Sequence, residues 1–225
     1  MIIVTGASRG LGLEISNRLT QNGIEVLGIS RNPINSNFLM KQIDVTSHTE
    51  LRKLAAELRA QDIKVTALIN AAGIASMNLA LMTTPEKVSQ VIQTNLQGTI
   101  YSCQTIAPLL IRSGGGSIIN FSTIAVNLGL QGEAVYAASK AGVEAFSRVF
   151  ARELSSHNVK VNCIAPGPID TSLLSGVSSS QIGRIIERQI IQKKFEPKDI
   201  ADLVELLLDP KANSITGQLI NVGGV

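Results

Sequence analysis

Aromatic residues are scarce in this chain, with no tryptophan, two tyrosines and five phenylalanines among 225 residues. So few rings leave little on which to stack bases, and the lysines and arginines are scattered for a net charge of only +3, so a nucleic-acid partner finds no support. Cysteine is equally sparse. Cys103 and Cys163 sit among apolar residues with no C-x-x-C or Cys/His cluster, which points to buried, reduced thiols. The two histidines, His48 and His157, are too far apart to suggest a ligand pair, and no structural metal is expected. Long apolar runs are missing as well: nothing approaches the ~20 unbroken apolar residues of a membrane span. The start has no basic leader and reads as a strand entering a Gly-rich turn rather than a secretory signal, so a cytoplasmic location is expected.

What is present is a globular composition, 44% hydrophobic and 16% charged, in a chain of a size for one core. Short β-branched runs at 2–4, 25–29, 65–69, 117–121, 159–164 and 218–222 alternate with helical stretches, and a further strand candidate lies near 42–44. That alternation predicts an α/β fold: a single Rossmann-type, doubly wound domain over residues 1–225, with a mostly parallel seven-stranded sheet and helices on both faces. Helices are expected over 11–21, from 46–47 with Leu51, Leu54, Ala55 and Leu58 on one face, from 84–85 to about 94, and over 99–112. Only about ten residues, 32–41, separate the second strand from the next candidate, so that crossover is expected to be stunted.

Thr5-Gly6-Ala7-Ser8-Arg9-Gly10-Leu11-Gly12 follows the first strand and opens the first helix, the setting a dinucleotide-binding turn requires. Gly6 permits the sharp turn, Gly10 lets the backbone approach a pyrophosphate, and Gly12 lets the helix pack close. The helix N-terminus offers unpaired N–H groups and a positive dipole end to phosphate. An NAD site usually places a carboxylate about 20 residues on, where this chain has Ser30-Arg31. Arg31 and Arg9, helped by the Ser8 or Ser30 hydroxyl, suit a 2′-phosphate, so the expected cofactor is NADP(H). The alternative is that both arginines are solvated.

Tyr136 and Lys140 stand at i and i+4 and share one helix face, so the ammonium can approach the phenol and draw its ionisation towards working pH. Ala137, Ala138, Ala141 and Gly142 make that helix thin on one side. The Gly-rich turn, Asn70-Ala71-Ala72-Gly73, Asn95, Tyr136-x-x-x-Lys140 and Pro166-Gly167-x-Ile169-x-Thr171 together resemble the short-chain dehydrogenase/reductase family over the whole chain. Within it the chain looks most like 3-oxoacyl-acyl-carrier-protein reductases and related short carbonyl reductases.

The resemblance implies that Asp44 and Val45 contact adenine, that Asn70, Ala71 and Gly73 support the nicotinamide ribose region, and that Ile169 and Thr171, after Pro166-Gly167, hold the carboxamide. It also implies that Asn95 holds a water for proton relay to Lys140, and that the chain forms a homotetramer or homodimer through helices near 99–112 and 143–154. The family expects a serine thirteen residues before the tyrosine, where this chain has Thr123, with Ser122 beside it in reserve. The expected reaction is NADPH-dependent reduction of a small-molecule carbonyl or acyl-thioester substrate, with Thr123 and Tyr136 binding the carbonyl oxygen and Tyr136 donating the proton. A reductase of a sugar, polyketide or other small carbonyl compound is the alternative, and a non-catalytic NADP-binding sensor or scaffold a more distant one. Residues 172–194 read as a substrate lid, on which Arg184 and Arg188 form a solvated face or, alternatively, attract an anionic carrier.

Overall fold

The structure, a computed structural model, describes residues 1–169 and 178–225. Its strands are β1 (Ile2–Thr5), β2 (Val26–Ser30), β3 (Leu39–Gln42), β4 (Ala67–Asn70), β5 (Gly116–Phe121), β6 (Val159–Ala165) and β7 (Leu219–Asn221). They form one sheet in the order β3-β2-β1-β4-β5-β6-β7, every pair parallel. The helices are α1 (Gly10–Gln21), α2 (His48–Ala60), α3 (Pro85–Ile92), α4 (Gly98–Arg112), α5 (Ala125–Leu128), α6 (Ala134–Glu153), α7 (Ser179–Glu187) and α8 (Pro197–Leu208).

The strands are apolar on both sides because both faces are covered. Ile3, Leu68, Ile118 and Val161 turn to the layer that holds Leu51 and Leu54 of α2 and Ile106 and Leu110 of α4. Ile2, Val4, Ile69 and Ile119 turn to the opposite layer, with Ile15 and Leu19 of α1 and Ile200, Val204 and Leu207 of α8. Helix starts follow local capping chemistry: the Ser47 side chain accepts from the Glu50 N–H, and Thr84 from Lys87, with Pro85 in the first turn. Gly23, at φ +76°, ends the turn after α1.

Three expectations need adjustment. β3 lies at Leu39–Gln42, ahead of the 42–44 candidate. It is an edge strand with Leu39 58% exposed, so it lacks the apolar signature of a buried strand. The link from Ser30 to Leu39 carries no helix, as its length foretold. The chain does not break near Asn95: α3 passes through a π-helical turn (Gln93–Gln97) straight into α4. Finally, α8 was not delimited from sequence, although Pro197 and Asp199 mark its first turn and Ile200, Val204 and Leu207 its buried stripe.

Candidate active site

The strand order reverses between β1 and β4, and the loops leaving the carboxyl ends of the strands diverge there, the place where doubly wound sheets bind ligands. A cavity of about 500 Å³ opens at this edge.

Its floor is the turn after β1. Gly6 adopts φ +70° and Gly10 φ +55°, in the left-handed region that glycine tolerates best. A Cβ on Gly6 would stand 2.7 Å from the Ala72 Cα, and one on Gly12 2.4 Å from the Gly6 carbonyl oxygen. Gly12 therefore presses α1 against the turn itself. Thr5 Oγ1 accepts the Ala72 N–H at 3.0 Å and ties the turn to the segment after β4. No side chain caps the start of α1 and no carboxylate lies in its first turn, which leaves its N–H groups free for an anion. Ser8, Arg9, Gly10 and Leu11 line the cavity, whereas Gly12 lies behind it.

At one end of the cavity the lining includes Ser30, Arg31, Asp44 and Val45. Ser30 Oγ is buried with no hydrogen-bond partner, an unsatisfied donor beside two arginines, Arg9 and Arg31, that reach into the same space. Asp44 Oδ1 is held by the N–H and hydroxyl of Thr46. Val45 packs against Gly98 at the start of α4, where a Cβ would stand 2.8 Å from its Cγ2.

At the other end, β5 and α6 bring Thr123, Tyr136 and Lys140 to one wall. The Lys140 ammonium donates to the Phe121 carbonyl at 2.8 Å. Burial lowers its pKa to about 8. The Tyr136 phenol is pushed well above its ordinary range, first by burial and then by the Glu133 charge, with the hydrogen-bonding Thr123 hydroxyl acting in the opposite sense. This corrects the expectation that the neighbouring cation draws the phenol down: in the chain alone, desolvation wins. Ser122 is committed elsewhere, donating to buried Glu144, so Thr123 presents the hydroxyl next to the phenol.

Two expected site residues stand behind the cavity wall. The Asn70 side chain donates to Asn120 at 2.8 Å across the β4–β5 pair and to Cys103, and the lining begins only at Ala71 and Gly73. The strand pairing claims its amide, so Asn70 stands behind the 71–73 segment rather than on the cavity surface. Asn95, turned inward by the π-helical turn, accepts from Ile74 N–H at 2.8 Å and donates to Ile74 O and Ser139 Oγ. A Cβ on Gly73 would stand 3.3 Å from Asn95 Oδ1 and 3.6 Å from Lys140 Nζ, so the two side chains converge beneath that loop. Both amide hydrogens of Asn95 are spent on fixing the loop against α6. A Cβ on Gly142 would stand 2.8 Å from Leu96 Cδ2, which explains the thin side of α6.

Pro166, Gly167 and Ile169 line the cavity, while Thr171 and residues 172–177 of the expected lid lie outside the described residues. α7, capped by Ser178 and Gln181, contributes Ile185 to the lining. Arg188 is more than a solvated residue, since its guanidinium donates to the Leu128 carbonyl at 2.9 Å. Glu133, one turn before Tyr136 and 7% exposed, also lines the cavity and was missed from sequence. Its signal was there, a carboxylate i−3 from the tyrosine. Among the described residues, no group of three or more His, Cys, Asp or Glu gathers as a metal site, and no helix is long and apolar enough to cross a membrane.

The sequence profile of the family described as enoyl-(acyl carrier protein) reductase matches residues 6–224. The chain belongs to the short-chain dehydrogenase/reductase family, oxidoreductases that use nicotinamide cofactors. It is 32% identical to a 3-oxoacyl-[acyl-carrier-protein] reductase FabG of Staphylococcus epidermidis, over 99% of this chain and 96% of that protein. It is 33% identical to carbonyl reductase family member 4 of Danio rerio, over 100% of this chain and 96% of that protein. Among solved structures it superposes on a short-chain type dehydrogenase/reductase from Mycobacterium ulcerans with a TM-score of 0.92, at 26% identity over 99% of this chain and 88% of the other. The ligand-free aldohexose dehydrogenase of Thermoplasma acidophilum gives 0.89, at 26% identity over 99% and 92%.

Proposed function

We propose that this short-chain dehydrogenase/reductase uses NADPH to reduce a ketone or aldehyde to an alcohol. The observation that carries the reading is the convergence of the Thr123 hydroxyl, the Tyr136 phenol and the Lys140 ammonium on a cavity whose other end holds Ser30, Arg9 and Arg31. The residues fit the cofactor: the free N–H groups of α1 suit the pyrophosphate, and the unpartnered Ser30 hydroxyl with two guanidiniums suits a 2′-phosphate. Asp44 and Val45 would flank the adenine, Ala71 and Gly73 the nicotinamide ribose, and Pro166, Gly167 and Ile169 the carboxamide side. NADPH supplies the hydride when bound.

The protein's own part is electrostatic and proton-handling. Thr123 and Tyr136 donate hydrogen bonds to the carbonyl oxygen and stabilise the negative charge that grows there. Tyr136 then releases its proton to that oxygen, and the Lys140 ammonium offsets the phenolate left behind. A phenol held un-ionised by burial is a competent acid in this direction, since it keeps its proton until an acceptor develops. Asn95 acts as a positioning residue, holding the 73–74 loop over Lys140. A homotetramer or homodimer is part of the proposal, and α6 offers an exposed Val149 beside the stacked Phe146 and Phe150 rings.

The activities named for the relatives point to two substrate classes, 3-oxoacyl thioesters and aldohexoses. The test follows NADPH and NADH oxidation with acetoacetyl thioester and a panel of ketones, comparing wild type with Tyr136→Phe. NADPH-dependent turnover that disappears in the variant supports the reading; tight NADPH binding with no turnover across the panel points instead to a sensing role.

A further inference from the structure

Glu133 has an environment that the proposed chemistry does not use. The residue is only 7% exposed, and it lines the cavity one helical turn from the proton donor. Its carboxylate has no hydrogen-bond or ion-pair partner among the described residues, and burial raises its pKa with no compensating contact. A glutamate at the start of α6 could turn back and cap that helix, yet no side-chain cap forms there. The cavity wall adds apolar Met77, Ile124, Leu130 and Ile185, and the outer groove adds Gln131 and Gln181. Arg184 and Arg188 share only the outer groove with Glu133, and Arg188 is engaged with the Leu128 carbonyl.

A largely buried acceptor with no protein partner of its own gains most from a donor brought into the cavity. Its place beside Thr123 and Tyr136 puts the missing group on the substrate, close to the reacting carbonyl. We infer that Glu133 accepts a hydrogen bond from a hydroxyl or amine carried next to the reducible carbonyl, so that hydroxy or amino carbonyl compounds are preferred over plain acyl chains. The inference rests on the reductase reading and narrows it. Thr123 and Tyr136 are engaged with the carbonyl oxygen in the proposed chemistry, so discrimination falls on the Glu133 carboxylate. A substrate lacking the donor leaves the carboxylate unpaired, which is how a site of this type rejects a close analogue.

Hydroxyacetone, aminoacetone and butanone have equal numbers of heavy atoms and differ in the donor, which in aminoacetone also carries positive charge. Their kcat/KM values with NADPH, and their binding to the cofactor-loaded protein by ligand-observed NMR, are compared for wild type, Glu133→Gln and Glu133→Leu. The expected wild-type preference for a donor-bearing ketone over butanone is roughly tenfold to a hundredfold, the size of a hydrogen bond to a charged group. Glu133→Leu should bring that ratio close to unity, whatever it does to the absolute rates. Glu133→Gln, which retains an acceptor oxygen, should keep part of the hydroxyacetone preference and lose that for aminoacetone. A ratio unchanged in Glu133→Leu overturns the inference, because the preference then belongs to the ketones themselves; equal wild-type use of butanone overturns it too. Absence of turnover with all three, alongside Glu133-dependent binding of the donor ketones, sinks the reductase reading and upholds the carboxylate's role. Binding indifferent to Glu133 sinks the latter.

Discussion

Replacing Ser30 by alanine should move stability and cofactor affinity in opposite directions. The Ser30 hydroxyl is buried at the end of β2 with no partner, and Ser30 lines the same cavity as Arg9 and Arg31. Burying an unpaired polar group costs about 1–3 kcal/mol, and deleting it leaves only a small void, so the ligand-free variant should gain up to about 1 kcal/mol. For a chain of this size that is a rise in Tm of about 2–4 °C. In the complex the same hydroxyl would donate to a dianionic 2′-phosphate, a charge-assisted bond of about 1.5–3 kcal/mol, so the NADPH Kd should rise roughly tenfold to a hundredfold. NADH has no such phosphate, and its Kd should stay within about twofold. Calorimetric titration of both dinucleotides and a thermal scan without ligand give all three numbers. A lower Tm, or parallel weakening of NADPH and NADH, would refute the reasoning by showing that Ser30 supports the strand rather than the phosphate.

Lys140→Met tests the buried ammonium. Its pKa is lowered from 10.5 to about 8, so between those values the unfolded chain holds a proton that the folded chain does not, and stability rises with pH. Measured by urea unfolding, wild type should gain on Lys140→Met by up to about 3 kcal/mol between pH 8 and 10.5; a constant difference contradicts the assignment. Gly12→Ala would place a methyl 2.4 Å from the Gly6 oxygen, and both groups are backbone-held. The expected loss is about 1–3 kcal/mol, visible as a Tm drop of about 2–12 °C, and an unchanged Tm would mean that the turn can yield.

The sheet was legible because each interior strand is a short apolar run bounded by turn residues, and both buried faces leave that run unbroken, as in Ile2-Ile3-Val4 and Ser117-Ile118-Ile119. β3 was misplaced for the converse reason: an exposed edge strand with a lysine in it carries little hydrophobic signal. The phosphate turn was visible through glycine spacing, and the structure supplies the steric cause at Gly6 and Gly12. Asn70 shows the limit of motif reading, since a residue next to a cavity can face the sheet instead, and only the Asn120 partner across β5 reveals which. Glu133 escaped because a carboxylate in a loop looks like surface until packing closes around it. The sign of the Tyr136 shift was equally out of reach, as it depends on how much water the fold removes.

The π-helical turn at Gln93–Gln97 is a helix that has taken in one residue more than its pitch requires. Loss of a single codon there would restore an unbroken α-helix of ordinary pitch, with the flanking helices keeping their faces. Both flanking helices would survive, but Asn95 would swing away from Ile74 and Ser139. A one-residue insertion is thus the smallest heritable change that installs this anchor, and its removal is a route by which a descendant could keep the fold and lose the site.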